Sequence, residues 1–403
     1  MPESEVDDGD ATGMADLDPR AFESTGELYE AYEKASSRCP VARGTAYGGY
    51  YMLMGFEAVK EAANDWRRFS SAEGILLPQP PRPKAPPIEF DPPEHTEWRS
   101  VFRTLLSPRT RKALQEQVQA EAEALIDQFC EVGTAELVEA YTEPIPILAV
   151  ASLIGLDPEL APTMRRLGLD VSNNHNSPAY GEVIAEFSRF ALGEVEARRA
   201  APREDFLTEL GTAEFNGHRL SDEEIVGTLV SLMVAGHHST VSAMSSLLQW
   251  VITRRDLGRT ILGDRALLDR AIEETVRLNT PLHQFRRVAT GDLDVDGVSI
   301  PRGSNVLLNY AAANRDPRQF ADPDEFDLAR PSPAHLGFGF GVHTCVGAPL
   351  ARAEMRIAAT TLLRRLPDIA LDGDTSHVFH GQASLLDRLP VTFSPAGKTG
   401  PRS

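Results

Sequence analysis

The residues best suited to chemistry lie at 338–352, where the chain reads Phe-Gly-Phe-Gly-Val-His-Thr-Cys-Val-Gly-Ala-Pro-Leu-Ala-Arg. One cysteine, Cys345, stands among Gly339, Gly341 and Gly347, with His343 two residues before it. Pro349 then opens an apolar-periodic stretch, 350–366, that predicts a helix. Glycines let the backbone turn tightly and approach something flat. A thiolate just ahead of a helix start gains from free amides and the positive dipole end. That combination is expected to lower the cysteine pKa and prepare it as a metal ligand or nucleophile. The competing reading is a structural cysteine in a glycine-rich turn. A zinc site would need three or four clustered ligands, and the sequence offers no such cluster. Nothing near His343 marks an oxyanion hole or the third member of a hydrolase triad.

Other spacings bear on this loop. His95 and Arg99 are four apart at the start of a predicted helix, so they share a face. Two such donors suit a carboxylate, although a plain surface pair has the same spacing. Ala235-Gly236-His237-His238-Ser239-Thr240 falls inside a long apolar helix, where Gly236 would allow close approach to a ligand. Glu274 and Arg277 are three apart and can pair. Arg287 follows Pro281-Leu-His-Gln-Phe285, and its neighbour Arg286 faces the other way if the segment is extended. His175, in an asparagine-rich stretch, reads as a loop residue with no second ligand at useful spacing.

In their order along the chain these stretches resemble the cytochrome P450 family. Phe338–Cys345 and Gly347 match the haem-thiolate loop Phe-Gly-x-Gly-x-His-x-Cys-x-Gly. Glu274-x-x-Arg277 and the segments 313–317 and 323–330 are similar to the family's Glu-x-x-Arg motif and meander. Ala235–Thr240 resembles the distal helix segment Ala-Gly-x-(Asp/Glu)-Thr-Thr, with two departures: His238 at the acid position and Ser239 at the first threonine. The resemblance covers most of the chain and is strongest over 220–366. It implies haem b, with Cys345 as axial iron ligand and Phe338, Gly339 and Gly347 shaping the loop. It further implies that His95, Arg99, Arg287 and His343 hold the propionates and that Glu274 and Arg277 are structural. Ala235, Gly236, His238, Ser239 and Thr240 would form the distal catalytic segment. Leu76, Leu77, Val230, Val234, Leu282 and Leu385, with Ile75 and Phe285, would give an apolar substrate pocket, and His283 and Gln284 polar contacts. The implied activity is a monooxygenase that hydroxylates, epoxidises or dealkylates a small organic molecule with O2 and electrons from a ferredoxin. The alternatives are oxidative coupling, desaturation or peroxide-driven chemistry on the same fold, or a haem protein that only binds a ligand. Arg99, Arg103, Arg109, Arg111, Lys112, Arg352 and Arg356 are the basic residues expected to meet the ferredoxin.

The elements that must position these residues follow from pattern. The chain has 403 residues, 42% hydrophobic and 25% charged, which is ordinary globular content. A net charge of −19 argues against nucleic acid or an anionic membrane surface as partner. Three cysteines without regular spacing fit a reduced, cytoplasmic protein. The acidic N-terminus lacks a signal pattern, and no stretch reaches the roughly 18 apolar residues of a membrane span. The expected fold is mainly α with a small β region, a single domain over 19–403 after a disordered acidic tail, 1–18, acting as a monomer. Helices are expected at 56–66, from 91, at 111–131, at 225–253 behind the capping box Ser221–Glu224, and at 350–366. Strands are expected at 47–53, 295–300 and 305–308. The proline-dense stretch 71–93 excludes helix and ladder and reads as a loop over the distal face.

Overall fold

Ser221 and Glu224 start the element around which the chain is built. The Glu224 amide donates to the Ser221 hydroxyl, and the Ser221 amide donates to the Glu224 carboxylate. Two orphan amides of the first turn are thereby satisfied. The helix they open, Asp222–Thr253, has 32 residues and a length of about 48 Å. Residues 225–233 are buried without interruption, because the stretch is apolar nearly all round. The computed structural model describes residues 16–399 except 23, 175, 176, 213, 216, 331–333 and 381. Within these residues the central helix is the one helix long and apolar enough to cross a membrane, and it is packed inside the molecule. His175 and positions 1–15 of the expected acidic tail lie outside the described residues.

The two halves of the central helix serve two cores. Its N-terminal half packs with helices Pro144–Ile154, Ala161–Asn173 and Tyr180–Ala200. Its C-terminal half packs with Pro108–Phe129, Arg265–Asn279 and Ala348–Arg365. The largest sheet runs Val41–Gly44, Tyr50–Leu53, Asn305–Asn309, Gln284–Ala289, Phe69–Ser70 in spatial order. Helices dominate and strands are confined to small sheets, as expected. The expected strand 295–300 is instead a hairpin, Leu293–Val295 with Val298–Ile300. Asp296 and Gly297 turn it with φ 51° and 80°, the Asp-Gly signature of a two-residue loop.

The expected disordered tail ends earlier than predicted. Leu17 is 1% exposed, and its amide donates to the Arg43 carbonyl. One buried leucine anchors an otherwise acidic stretch. Residues 71–93 contain no helix or strand, as their prolines require. This loop lies directly on the central helix: a Cβ on Gly227 would meet the Lys84 carbonyl oxygen at 2.1 Å.

A buried ionic knot fixes the irregular chain beyond the sheet. Arg277, with no exposure, donates Nε and Nη2 to Glu274 at 2.8 Å each. Its remaining hydrogens go to the carbonyls of Asn314, Pro323 and Glu325. Glu274 also accepts from the Asp327 amide and from Arg330 Nε. Removing one member leaves buried charge uncompensated, at a cost of about 3–5 kcal/mol. Arg277→Ala is therefore expected to lower the denaturant midpoint sharply; a change below about 1 kcal/mol would contradict this role.

Candidate active site

Two glycines make the cysteine loop possible. Gly339 and Gly341 both have φ 70°, a region L side chains rarely adopt. A Cβ on Gly341 would meet the Ala63 carbonyl oxygen at 2.7 Å, so the loop presses on helix Phe56–Asn64. The Cys345 amide closes the loop on the Phe338 carbonyl at 2.8 Å. Helix Ala348–Arg365 starts immediately afterwards. Cys345 is an exposed residue, yet the surrounding protein desolvates its thiol. Burial raises the thiol pKa, against opposing pulls from the Gly347 and Ala348 amides and the Arg99 and Arg352 charges. This corrects the expected lowering: desolvation outweighs the helix start. A cysteine of this kind is a poor free nucleophile.

The loop is tied to its surroundings through a residue the sequence reading passed over. Glu273 accepts from Arg352 Nε and Nη2 at 2.6 and 2.7 Å and lies 3.2 Å from His335 Nε2. The Arg352 guanidinium sits 4.2 Å over the Phe338 ring. Burial alone would raise the Glu273 pKa, but Arg352 and His335 bring it down to about 2. Glu273 was visible beside Glu274, but its partners come from segments distant in sequence.

On one side of the loop, cationic and imidazole groups gather. His95 is buried, and neither ring nitrogen makes a well-formed hydrogen bond. Its ring stands 4.6 Å from that of His343. Arg99 donates to the Thr344 carbonyl, and its Nε is buried without a partner among the described residues. His343 Nε2 lies 3.2 Å from the Ser71 hydroxyl, which in turn bonds Asp91. Burial first, then Arg287, His95 and Arg99, push the His343 pKa down to about 2. Burial and Arg99 likewise lower that of His95. Arg287 is 2% exposed and has no carboxylate partner among the described residues. Strand alternation explains the choice between the arginines: Phe285 and Arg287 share one face, Gln284 and Arg286 the other. Arg286 turns away to Asn305 and the Glu73 carbonyl.

A cavity of about 970 Å3, its open mouth included, lies beside the central helix and beneath the 71–93 loop. Leu76, Val230, Val234, Ala235, His238, Leu282 and Leu385 line it, as do Ile75 and Phe285. Arg82, Tyr180, Ser231 and Gln382 also line it and were not anticipated. Arg82 and Ser231 lie in segments expected at the site, the 71–93 loop and the central helix, whereas Tyr180 and Gln382 carry no motif and come in through the tertiary fold. The Ser239 hydroxyl donates to the Ala235 carbonyl at 2.9 Å. Its proton is committed, so toward other groups it acts as an acceptor. Thr240 is buried. His237 points elsewhere; burial and the Arg165 charge push its pKa down to about 4.

Four assignments need correction. Gly236 serves packing rather than ligand approach, because a Cβ there would meet Val150 Cγ2 at 2.6 Å. His283 has no exposure and packs against Tyr29, Tyr32 and Phe379. Gln284 lies on the sheet face away from the main cavity and borders a smaller one. Leu77 borders that same small cavity and packs with the N-terminal core.

Comparison with known proteins accounts for this arrangement. Residues 178–375 match the family model described as cytochrome P450. Steroid C26-monooxygenase of Mycobacterium tuberculosis is 30% identical over 395 residues, covering 96% of this chain and 98% of that one. The chain belongs to the cytochrome P450 family. Cytochrome P450 monooxygenase PikC of Streptomyces venezuelae is 32% identical over 376 residues, covering 89% and 88% of the two chains. A myxobacterial P450 solved with myristic acid superposes with a TM-score of 0.84 at 29% identity, covering 93% and 99%. The Bacillus subtilis bacillaene synthase P450 PksS gives 0.85 at 26%, covering 94% and 100%. The chain is thus a P450 monooxygenase, an oxidoreductase that uses haem. The residues fit that cofactor. A buried guanidinium with no carboxylate partner among the described residues, two imidazoles of lowered pKa and Arg99 lie near one accessible cysteine. Such a set suits two carboxylates and a single axial sulfur.

The Glu273 pKa has a consequence for stability. Its ionised form is favoured in the folded protein, so its contribution is fully present above about pH 4.5 and is lost as pH falls toward about 2. Glu273→Gln should cost at most about 3 kcal/mol at neutral pH. The gap between variant and parent should close on acidification; a constant gap between pH 7 and pH 3 would contradict the assignment.

Proposed function

We propose that the chain binds haem b, with Cys345 as the axial ligand and His95, Arg99, Arg287 and His343 on the propionates. In this reading it inserts one oxygen atom from O2 into a small, mainly apolar organic molecule held in the cavity beside Ala235 and His238. The observation that carries it is the pairing of one accessible cysteine with buried Arg287, which has no carboxylate partner among the described residues. When bound, the thiolate-ligated haem supplies oxygen activation. The protein's own part is positional. Leu76, Val230, Val234, Leu282, Phe285 and Leu385 hold the substrate and exclude water. Ser239 offers an acceptor oxygen at the distal side, and His238 stands in the cavity wall. Residues 19–403 act as one domain, a monomer in the cytoplasm. Support comes from the central helix shared by two cores and from three free cysteines.

A ferredoxin is proposed as electron donor, docking on the cysteine side. Arg352 and Arg356 are less suited to meet it than their spacing promised, since Glu273 and Asp269 engage them. Exposed Arg103, Arg109 and Lys112 remain as the basic surface. Reduced protein with CO should show the thiolate-type band, and Cys345→Ser should lose it. Ferredoxin and its reductase should then drive turnover, with label from 18O2 in the product. Charge reversal at Arg103 and Arg109 should slow reduction. A retained band in Cys345→Ser would overturn the ligand assignment. Unlabelled product would favour coupling or desaturation, the reading that His238 and Ser239 at the family's acid–threonine position keep open.

The distal pair gives a separate test. Ser239→Ala should lower product per NADH by about tenfold or more and raise peroxide release. His238→Ala should cost less, because its role is in the cavity wall. If His238→Ala abolishes product while Ser239→Ala is nearly silent, the imidazole carries the proton and the ranking is reversed.

A further inference from the structure

The 71–93 loop is folded around a charge that it neutralises itself. Glu89 has no exposure, and its side chain meets Arg82 at 2.8 Å; the Arg82 side chain is 6% exposed. Glu89 Oε1 accepts from Arg82 Nη2 and Gln79 Nε2, both at 2.8 Å. Its Oε2 accepts from Arg82 Nη1 at 2.9 Å and from the Ala85 amide at 2.7 Å. Nη1 gives its second hydrogen to the Pro83 carbonyl at 2.9 Å. That leaves Nε–H and one Nη2–H of Arg82 without a bond among the described residues, on a side chain that lines the main cavity. Tyr180 lines the same cavity and feels both charges of the pair. Arg286, nearby, is approached only loosely, by the exposed Glu73 carboxylate at 4.0 Å.

Arg82 therefore presents hydrogen-bond donors to the cavity without presenting net positive charge. A ligand carboxylate placed against them would be a second anion on an already compensated cation, and it would lose its own hydration in an apolar cavity. A ketone, ester or lactone oxygen would gain the same hydrogen bonds at far smaller desolvation cost. We propose that Arg82 and Tyr180 form a polar subsite that selects neutral substrates carrying a carbonyl acceptor, and that Glu89 is the residue that excludes carboxylates. This rests on the monooxygenase reading and names the substrate class of that site. The apolar remainder of such a molecule would extend toward Ala235 and His238, where the lining is chiefly aliphatic.

The test uses holoprotein and a matched pair of probes, methyl decanoate and decanoate, with undecane as the acceptor-free reference. Titrations are run at about pH 8, above the range of about 6.5 in which free imidazole changes charge. Binding is read by the ferric spectral shift and, independently, by calorimetry. The parent protein should bind the ester at least about tenfold more tightly than the carboxylate. Glu89→Gln leaves the Arg82 charge uncancelled and should bring the two probes within about threefold, through tighter carboxylate binding. Arg82→Met combined with Glu89→Met, which removes the pair without leaving a lone buried charge, should erase the preference for ester over undecane. Equal binding of ester and carboxylate by the parent overturns the proposal. So does an ester advantage that persists undiminished in the double variant, which also covers the case where Glu89→Gln does not fold. Failure of the haem-thiolate reading would appear separately, as the absence of a thiolate spectrum before any probe is added.

Discussion

A guanidinium with no access to water must place five N–H groups, and the fold around Arg277 is the solution to that requirement. Glu274 takes two of them, and the carbonyls of Asn314, Pro323 and Glu325 take the rest. These carbonyls belong to chain with almost no regular structure, so Arg277 supplies the order that a helix or sheet would otherwise provide. The effect travels in two directions from Asn314. Its side-chain oxygen accepts from the Leu336 amide, at the entrance to the cysteine loop. Its side-chain nitrogen donates to Thr280, just before the turn that brings Leu282 to the cavity. The cysteine loop and one wall of the cavity are thus hung from the same buried charge.

Arginine appears in three electrostatic states around this site. Arg277 is fully matched and structural. Arg82 is matched by Glu89 but keeps N–H groups unbonded among the described residues, on a side chain that lines a cavity. Arg287 is buried among imidazoles with no matching acid among the described residues. Burying an unmatched charge is costly, so the third state is the one suited to an anion from outside the chain, whereas the first two need none. Sequence does not distinguish the three, since what separates them is the tertiary partner each one meets.

What was legible in the sequence was local. The glycine positions around Cys345, the four-residue spacing of His95 and Arg99, and the three-residue spacing of Glu274 and Arg277 report geometry within a single loop or helix. The capping box at Ser221 and the apolar run after it located the central helix almost to the residue. What failed was tertiary in origin. His283 and Gln284 lie in the right segment, but strand alternation and the aromatic cluster of Tyr29, Tyr32 and Phe379 turn them away. Gly236 answers to Val150 on another helix. Arg352 and Arg356 looked free by spacing and are engaged by Glu273 and Asp269. Leu17 has one apolar side chain in an acidic run, too weak a signal to mark an anchor.

The contact between Gly227 and the Lys84 carbonyl carries an evolutionary consequence. The 71–93 loop brings its own ion pair and has no helix or strand to maintain. It is tied to strand Gln284–Ala289 through Ile75 and Glu73, and it meets the central helix at Gly227. A single methyl group at position 227 would push roof from floor there. Change at one position on a rigid helix would therefore resize the chamber and leave the cysteine loop untouched. Substrate range would then diversify by small steps at that seam.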